Sequence, residues 1–149
     1  MRKSFLELVT VQNTMNICVI ENNLPWCAPV YFVFDEKFYF FSSPESIHIL
    51  YGLDKKVSCS VFCDGIETKK IRGLQMRGKI VKPDLKEALK AFIKYTKKFS
   101  PLLKDFGKDF FSFKEKFKSE FFCFEPEYIV YTDNSKGFGN KTIIKADNL

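Results

Sequence analysis

The run Phe40-Phe41-Ser42-Ser43-Pro44-Glu45-Ser46-Ile47-His48 brings three serine hydroxyls and the chain's only histidine to one junction. There an apolar strand gives way to a capped helix. A helix start gathers unpaired backbone N–H groups and the positive end of the helix dipole, which makes a ready site for a phosphate. Pro44 suits the first helical position, where its missing N–H is not needed. Either Ser42 or Ser43 can act as N-cap, and Ser42 with Glu45 has capping-box spacing. The same residues also read as a well-capped helix without a ligand, with His48 an ordinary surface histidine.

Other residues with chemical potential are scattered. Gln75 stands between Gly73 and Gly78, on a strand that a planar ligand or a neighbouring backbone approaches closely. It reads equally as a polar residue on an exposed strand face. Tyr31 can donate to a ligand or be a satisfied barrel tyrosine. Trp26 reads as an interface or core anchor. The five cysteines are odd in number and lack the spacing of a disulfide framework, so they read as reduced packing residues. Cys59 and Cys63 lie on one apparent strand, about 13 Å apart at ~3.3 Å per residue, too far to share a metal. Nothing forms a plausible Ser-His-Asp or Cys-His apparatus, because the one histidine would have to serve both as orienter and as a ligand contact, which disfavours hydrolase chemistry.

The elements that position these residues follow from pattern. With 149 residues the chain suits a single domain over 1–149. Its 18 phenylalanines and 6 tyrosines favour a β-rich interior. Charged residues interrupt every apolar run, so no membrane span is expected. No signal-like apolar core follows the basic N-terminus, so a cytoplasmic protein is expected. The net charge of +6 draws on Lys86, Lys90, Lys94, Lys97 and Lys98. These lie on one predicted helix and read as its solvated face. No zinc-finger or RNP-like motif points to specific nucleic-acid recognition.

Residues 4–12 read as a short helix, and 15–21, 26–34 and 38–41 as strands joined by turns at Asn22-Asn23-Leu24-Pro25 and Asp35-Glu36-Lys37. A helix over 43–53 precedes strands at 56–63 and 71–81. Asp84 opens the clearest helix, with Leu85, Ala88, Leu89, Phe92, Ile93, Thr96 and Phe99 at helical spacing. Residues 100–119 read as a short helix or ordered loop. A last strand covers 121–132, broken or started at Pro126, and a glycine-punctuated loop leads to the apolar Thr142-Ile143-Ile144. This order fits a mainly β, α+β fold, a small antiparallel barrel with helices at its ends.

Three runs, in this order, carry a resemblance: Leu24-Pro25-Trp26-Cys27-Ala28-Pro29-Val30-Tyr31-Phe32, then Phe40 to His48, then Ile71-Arg72-Gly73-Leu74-Gln75-Met76-Arg77-Gly78. The chain resembles the FMN-binding split barrels related to pyridoxamine 5′-phosphate oxidase. The tail Tyr131-Thr132-Asp133-Asn134-Ser135-Lys136-Gly137-Phe138-Gly139 is similar to the closing segment of their uncharacterised YhbP-type branch. The resemblance implies a six-stranded antiparallel split β-barrel with flanking helices, and a homodimer with FMN in two grooves at the subunit interface. It implies that Pro29, Val30 and Tyr31 lie along the flavin ring, that Phe41, Ser42 and Ser43 border it, and that Ser46 and His48 approach its phosphate. Gln75 would contact the ring, and Asn134 and Lys141 would reach the cofactor from the partner subunit.

Departures from the family bear on function. Ile47 and His48 stand where the oxidases usually place Arg and Lys, leaving Arg72, Arg77 or Lys141 to compensate the lost charge. The basic, aromatic C-terminal motif of true pyridoxamine-phosphate oxidases is absent. The resemblance therefore implies an FMN-dependent oxidoreductase for an unidentified small substrate, and not that oxidase. The alternative is a non-catalytic flavin carrier or sensor, or a haem-binding relative using His48.

Overall fold

The computed structural model describes residues 2–63, 66–101 and 109–145. The elements are α1 (Arg2–Val11), β1 (Thr14–Glu21), β2 (Leu24–Asp35), β3 (Lys37–Ser42), α2 (Ile47–Leu50), β4 (Lys56–Phe62), β5 (Arg72–Val81), α3 (Leu85–Lys98), α4 (Phe110–Phe117), β6 (Glu120–Asp133) and β7 (Lys141–Lys145). Six strands in the order β3-β2-β1-β4-β5-β6 close into an antiparallel ring, because β3 also pairs with β6; β7 adds to β6 as a seventh. The split lies along β6. Its first part pairs with β3 and its last part with β7, while β5 runs along the other side.

Strand β6 neither starts nor breaks at Pro126, which corrects the sequence-based expectation. The register steps from Arg77↔Tyr128 to Gly78↔Pro126, leaving Glu127 as the extra residue of a β-bulge. The bulge bends the strand. Gly78 permits it, since a Cβ there would collide with the Glu125 carbonyl oxygen.

The β1–β2 hairpin turns on Asn22 and Asn23, with φ of 49° and 66°, the left-handed pair that a tight hairpin needs. Pro25 and Pro29 stand opposite Ile20 and Asn16. Neither proline has an N–H to give, so both occupy non-hydrogen-bonded positions of the ladder. β3 joins β2 only from Phe32 onward, so the first half of β2 is a free edge. Prolines blunt it.

Alternation along the strands sends Met15, Ile17, Val57, Val61, Leu74, Ile80, Ile129 and Tyr131 inward. Helix α1 closes one end of the barrel with Phe5, Leu8 and Val9, Phe5 meeting Phe34 and Tyr131 edge-on. The turn α2 closes the other end with Ile49. A second apolar cluster lies on the outer surface. There Val33, Tyr39, Phe121 and Cys123 pack under Ala88, Ala91, Phe92 and Tyr95 of α3 and Phe110 and Phe113 of α4. Each fully buried Phe contributes roughly 1.5–3 kcal/mol, which accounts for the aromatic surplus.

The lysines of α3 are not simply a solvated face. Lys90 and Lys94 pair with Asp35. Lys98 folds inward and donates to the carbonyls of Val9, Gln12 and Phe32 at 3.4, 2.6 and 3.1 Å, tying α3 to the end of α1. Within the stretch expected as a helix or ordered loop, Asp109 caps α4 by accepting from Ser112 N. Residues 102–108 lie outside the described residues.

Candidate functional site

The end of β3, its link to α2 and the first turn of α2 bring three side chains together. Ser42 Oγ lies 2.7 Å from His48 Nε2 and 3.0 Å from Ser46 Oγ. Ser46 Oγ is 3.4 Å from the same ring nitrogen and donates to the Ser43 carbonyl at 2.8 Å. Each hydroxyl has one proton, and a carbonyl only accepts. Ser46 has therefore used its proton on Ser43 and is left to accept from Ser42 or His48. Ser42 shares one hydrogen bond with His48 Nε2, whose direction follows the imidazole tautomer. Burial lowers the His48 pKa below the ordinary 6.5, which favours the neutral ring.

Two readings of this segment change. The helix expected over 43–53 is the single turn Ile47–Leu50, with Ser46 as N-cap and no capping bond from its side chain. The Ser42–Glu45 capping box is absent; Glu45 N donates to Ser43 Oγ at 3.2 Å instead. So short a helix sums few peptide dipoles, and the donors here are side chains. His48 is 8% exposed and is not an ordinary surface histidine.

This cluster sits where the barrel opens. The last pair of the β2–β3 ladder on this side is Phe32–Phe40; two residues further along come Val30 and Ser42, where the strands part. Val30 points inward, while Pro29 and Tyr31 point out. The Tyr31 ring leans on Phe99 at 5.3 Å. The Phe41 ring is enclosed by Phe92, Tyr95, Phe110, Phe113 and Phe121, the nearest centroid at 4.4 Å. Packing therefore takes up the ring that the resemblance sets beside a flavin.

Among the described residues no helix packs on the remaining outer face. Registers place Pro29, Asn16, Ser60, Gln75, Val130 and Ile143 in one row across β2, β1, β4, β5, β6 and β7. The row ending Gly73, Thr132, Lys141 runs beside it. Gln75 lies three strands from Pro29, roughly 14 Å at ~4.8 Å per strand. It lines a shallow groove of about 380 Å³ with Cys18, Ser58, Ser60, Arg77 and Tyr128, within the volume range of small-molecule sites. Gly73 and Gly78 admit neighbouring backbone: their Cβ positions face the carbonyls of Val61 and Glu125.

The tail segment is built for structure. Asp133 is 2% exposed and accepts from Ser4 Oγ at 3.0 Å, and from Ser135 N and Oγ at 3.1 and 2.6 Å. Burial raises its pKa, but the hydrogen bonds from Ser135 and Ser4 outweigh this and hold it below 3.8. Asn134 is buried; its Oδ1 accepts from Gly139 N at 3.0 Å and its own N–H donates to the Ile71 carbonyl. Of the arginines expected to compensate a phosphate charge, Arg72 pairs with Glu7 at 2.9 Å and Arg77 stacks over Tyr128 at 4.8 Å.

Sequence reasoning missed the pairing of Cys18 with Cys27, whose sulfurs are 2.9 Å apart. Cys27 is exposed and Cys18 half-buried, so these two are not the buried packing residues expected. Equal spacing on either side of the Asn22-Asn23 turn is the signal that reveals them.

No protein-family profile matches the sequence. The chain is 27% identical over 140 residues to a UPF0306 protein of Klebsiella pneumoniae, covering 91% of this chain and 87% of that one. Among solved structures it is similar to a haem-binding protein from Mycobacterium smegmatis (TM-score 0.72, 11% identity), covering 95% of this chain but 56% of that one. It is also similar to an FAD-binding protein from Mesorhizobium loti (TM-score 0.62, 16% identity, 87% and 91% covered). The haem storage protein of Vibrio cholerae is a third (TM-score 0.65, 15% identity, 84% and 89% covered). The fold is that of the split barrels. No helix among the described residues is long and apolar enough to cross a membrane.

Proposed function

We propose that the chain is an FMN-binding flavoprotein of the pyridoxamine 5′-phosphate oxidase-like superfamily, in its YhbP-type branch. It works as a cytoplasmic homodimer with the flavin at the subunit interface, each chain forming one domain. The observation that carries this reading is the donor set at the open seam. Ser42 and Ser46 hydroxyls and the His48 Nε2 atom converge within 3.4 Å of one another. Phosphate oxygens only accept, so donors already gathered at one point can be redirected to a phosphate without reorganising the backbone. The FAD-binding relative and the UPF0306 relative are consistent with it.

In this reading Pro29 and Tyr31 lie along the flavin ring, with Val30 behind them in the barrel wall. Ser42, Ser43, Ser46 and His48 hold the phosphate, and Phe41 borders the site through its backbone. Gln75 donates to or accepts from the ring edge, with Lys141 and the Asn134 loop reaching from the partner subunit. Bound FMN supplies hydride and electron transfer, so no acid–base pair is required of the protein. The protein orients the ring, excludes water and leaves a small substrate access from the sheet face.

Haem is the second reading, favoured by the buried neutral imidazole and by the two haem-handling relatives. Its difficulty is that Nε2 is already hydrogen-bonded to Ser42. The absorption spectrum of freshly purified protein separates the readings: paired flavin bands support FMN, and a Soret band supports haem. Reduction of the bound flavin by reduced nicotinamide then separates an oxidoreductase from a carrier.

A further inference from the structure

We propose that Cys18 and Cys27 form a thiol–disulfide couple on the outer face of the β1–β2 hairpin. The sulfurs are 2.9 Å apart, with the Cys18 S–H donating to Cys27. The residues face each other directly in the antiparallel register. Cys27 is two residues from both Pro25 and Pro29, so it shares their non-hydrogen-bonded parity. Directly opposed residues at such positions have Cα atoms ~4.5 Å apart, inside the 4.4–6.8 Å window of disulfides. Bond formation then requires only closure of the sulfurs to about 2.05 Å. No third ligand joins them: among the described residues no group of three or more His, Cys, Asp or Glu could hold a metal.

Cys27 is exposed and is the entry point for a small disulfide oxidant such as glutathione disulfide. Its thiolate attacks one oxidant sulfur and expels one glutathione thiolate, forming a mixed disulfide. Cys18, losing its proton to solvent, attacks the Cys27 sulfur and expels the second glutathione. The net change converts two protein thiols and one glutathione disulfide into one protein disulfide and two glutathiones. The half-buried Cys18 suits the second step, in which its target is already at contact distance. Cys18 also lines the groove shared by Gln75 and Arg77, so the couple sits at the edge of that groove. The couple uses only side chains of this chain and does not depend on a bound flavin.

The test uses the reduced full-length chain, free of cofactor, exposed to glutathione disulfide and then alkylated. Glu21 lies between the two cysteines, so cleavage after glutamate leaves them joined only by a disulfide. The expected result is loss of two of the five thiols, a mass lower by two hydrogens, and a Cys18–Cys27 linked peptide pair within one chain. Cys18→Ser should instead retain a stable glutathione adduct on Cys27. Five alkylatable thiols, a persistent adduct on the unmodified sequence, a bridge to another cysteine, or a bridge between chains would each overturn the proposal.

Discussion

At the scale of single residues, His48 and Asp133 each tie a buried group to pH. Burial depresses the His48 pKa below 6.5. Its stabilising contribution is complete above the unfolded value and is lost as pH falls through the folded one. Asp133, held below 3.8 by Ser135 and Ser4, follows the same sign in a lower window. Chemical denaturation below neutral pH should show stability falling in two stages. His48→Gln should remove the upper stage. Asp133→Asn should shrink the lower one, which it shares with Asp35 and Glu87, where burial raises the pKa but the lysine partners outweigh it and lower both. Full retention of both stages in both variants would contradict the assignment. A phosphate at the cluster would raise the His48 pKa again. At about pH 7.5, above the second phosphate ionisation near 6, FMN binding should take up protons and riboflavin binding should not. His48→Ala should weaken FMN about tenfold, equivalent to a charge-assisted hydrogen bond, and leave riboflavin nearly unchanged. Calorimetry in two buffers of different ionisation enthalpy reads both effects.

At the scale of elements, the bulge at Glu127 is the device that lets β6 serve both β3 and β7. Gly78→Ala should therefore destabilise the barrel by roughly 1–3 kcal/mol or more, as overpacking does. Gly73→Ala should have a smaller effect, since its Cβ would meet the Val61 carbonyl at 3.2 Å. Urea unfolding measures both, and equal stability of the Gly78 variant would remove the bulge from this role. The hairpin, the alternating strands and the long helix were legible in the sequence, because period and turn chemistry act within a few residues. The role of Phe41 was not. A phenylalanine at a strand end looks the same whether it faces a ligand or two helices that arrive about fifty and seventy residues later. The Ser42–Glu45 spacing misled for a related reason: the chain bends back through Ser46 before helical geometry begins. Asp133 and Asn134 were legible as a motif but not as structure, since their partners Ser4 and Ile71 are far away in sequence. The cysteine pair was legible in principle, through the turn that fixes the hairpin register.

At the scale of the molecule, α3 and α4 cover part of the barrel's outer surface, and among the described residues no helix covers the open half opposite them. Tyr31, Phe62 and Ile143 are exposed on that open half, the side of Gln75 and Arg77, and Trp26 is exposed on the other face of the β1–β2 hairpin, opposite Val19. A standard interface buries ~800 Å² per partner around aromatic anchors, and this face supplies them. Sedimentation at micromolar concentration should give twice the 17.4 kDa of the chain. Trp26→Lys should yield a folded monomer that no longer retains FMN; a monomer that binds FMN stoichiometrically would place the whole site within one chain. The account turns on the phosphate at the Ser42–Ser46–His48 cluster, and the most direct measurement is an equilibrium titration of cofactor-free protein with FMN and with riboflavin, followed by quenching of flavin fluorescence. The predicted result is one FMN per chain, bound at least tenfold more tightly than riboflavin, with that preference lost in His48→Ala. Equal affinity for the two flavins, or binding of neither, would contradict it.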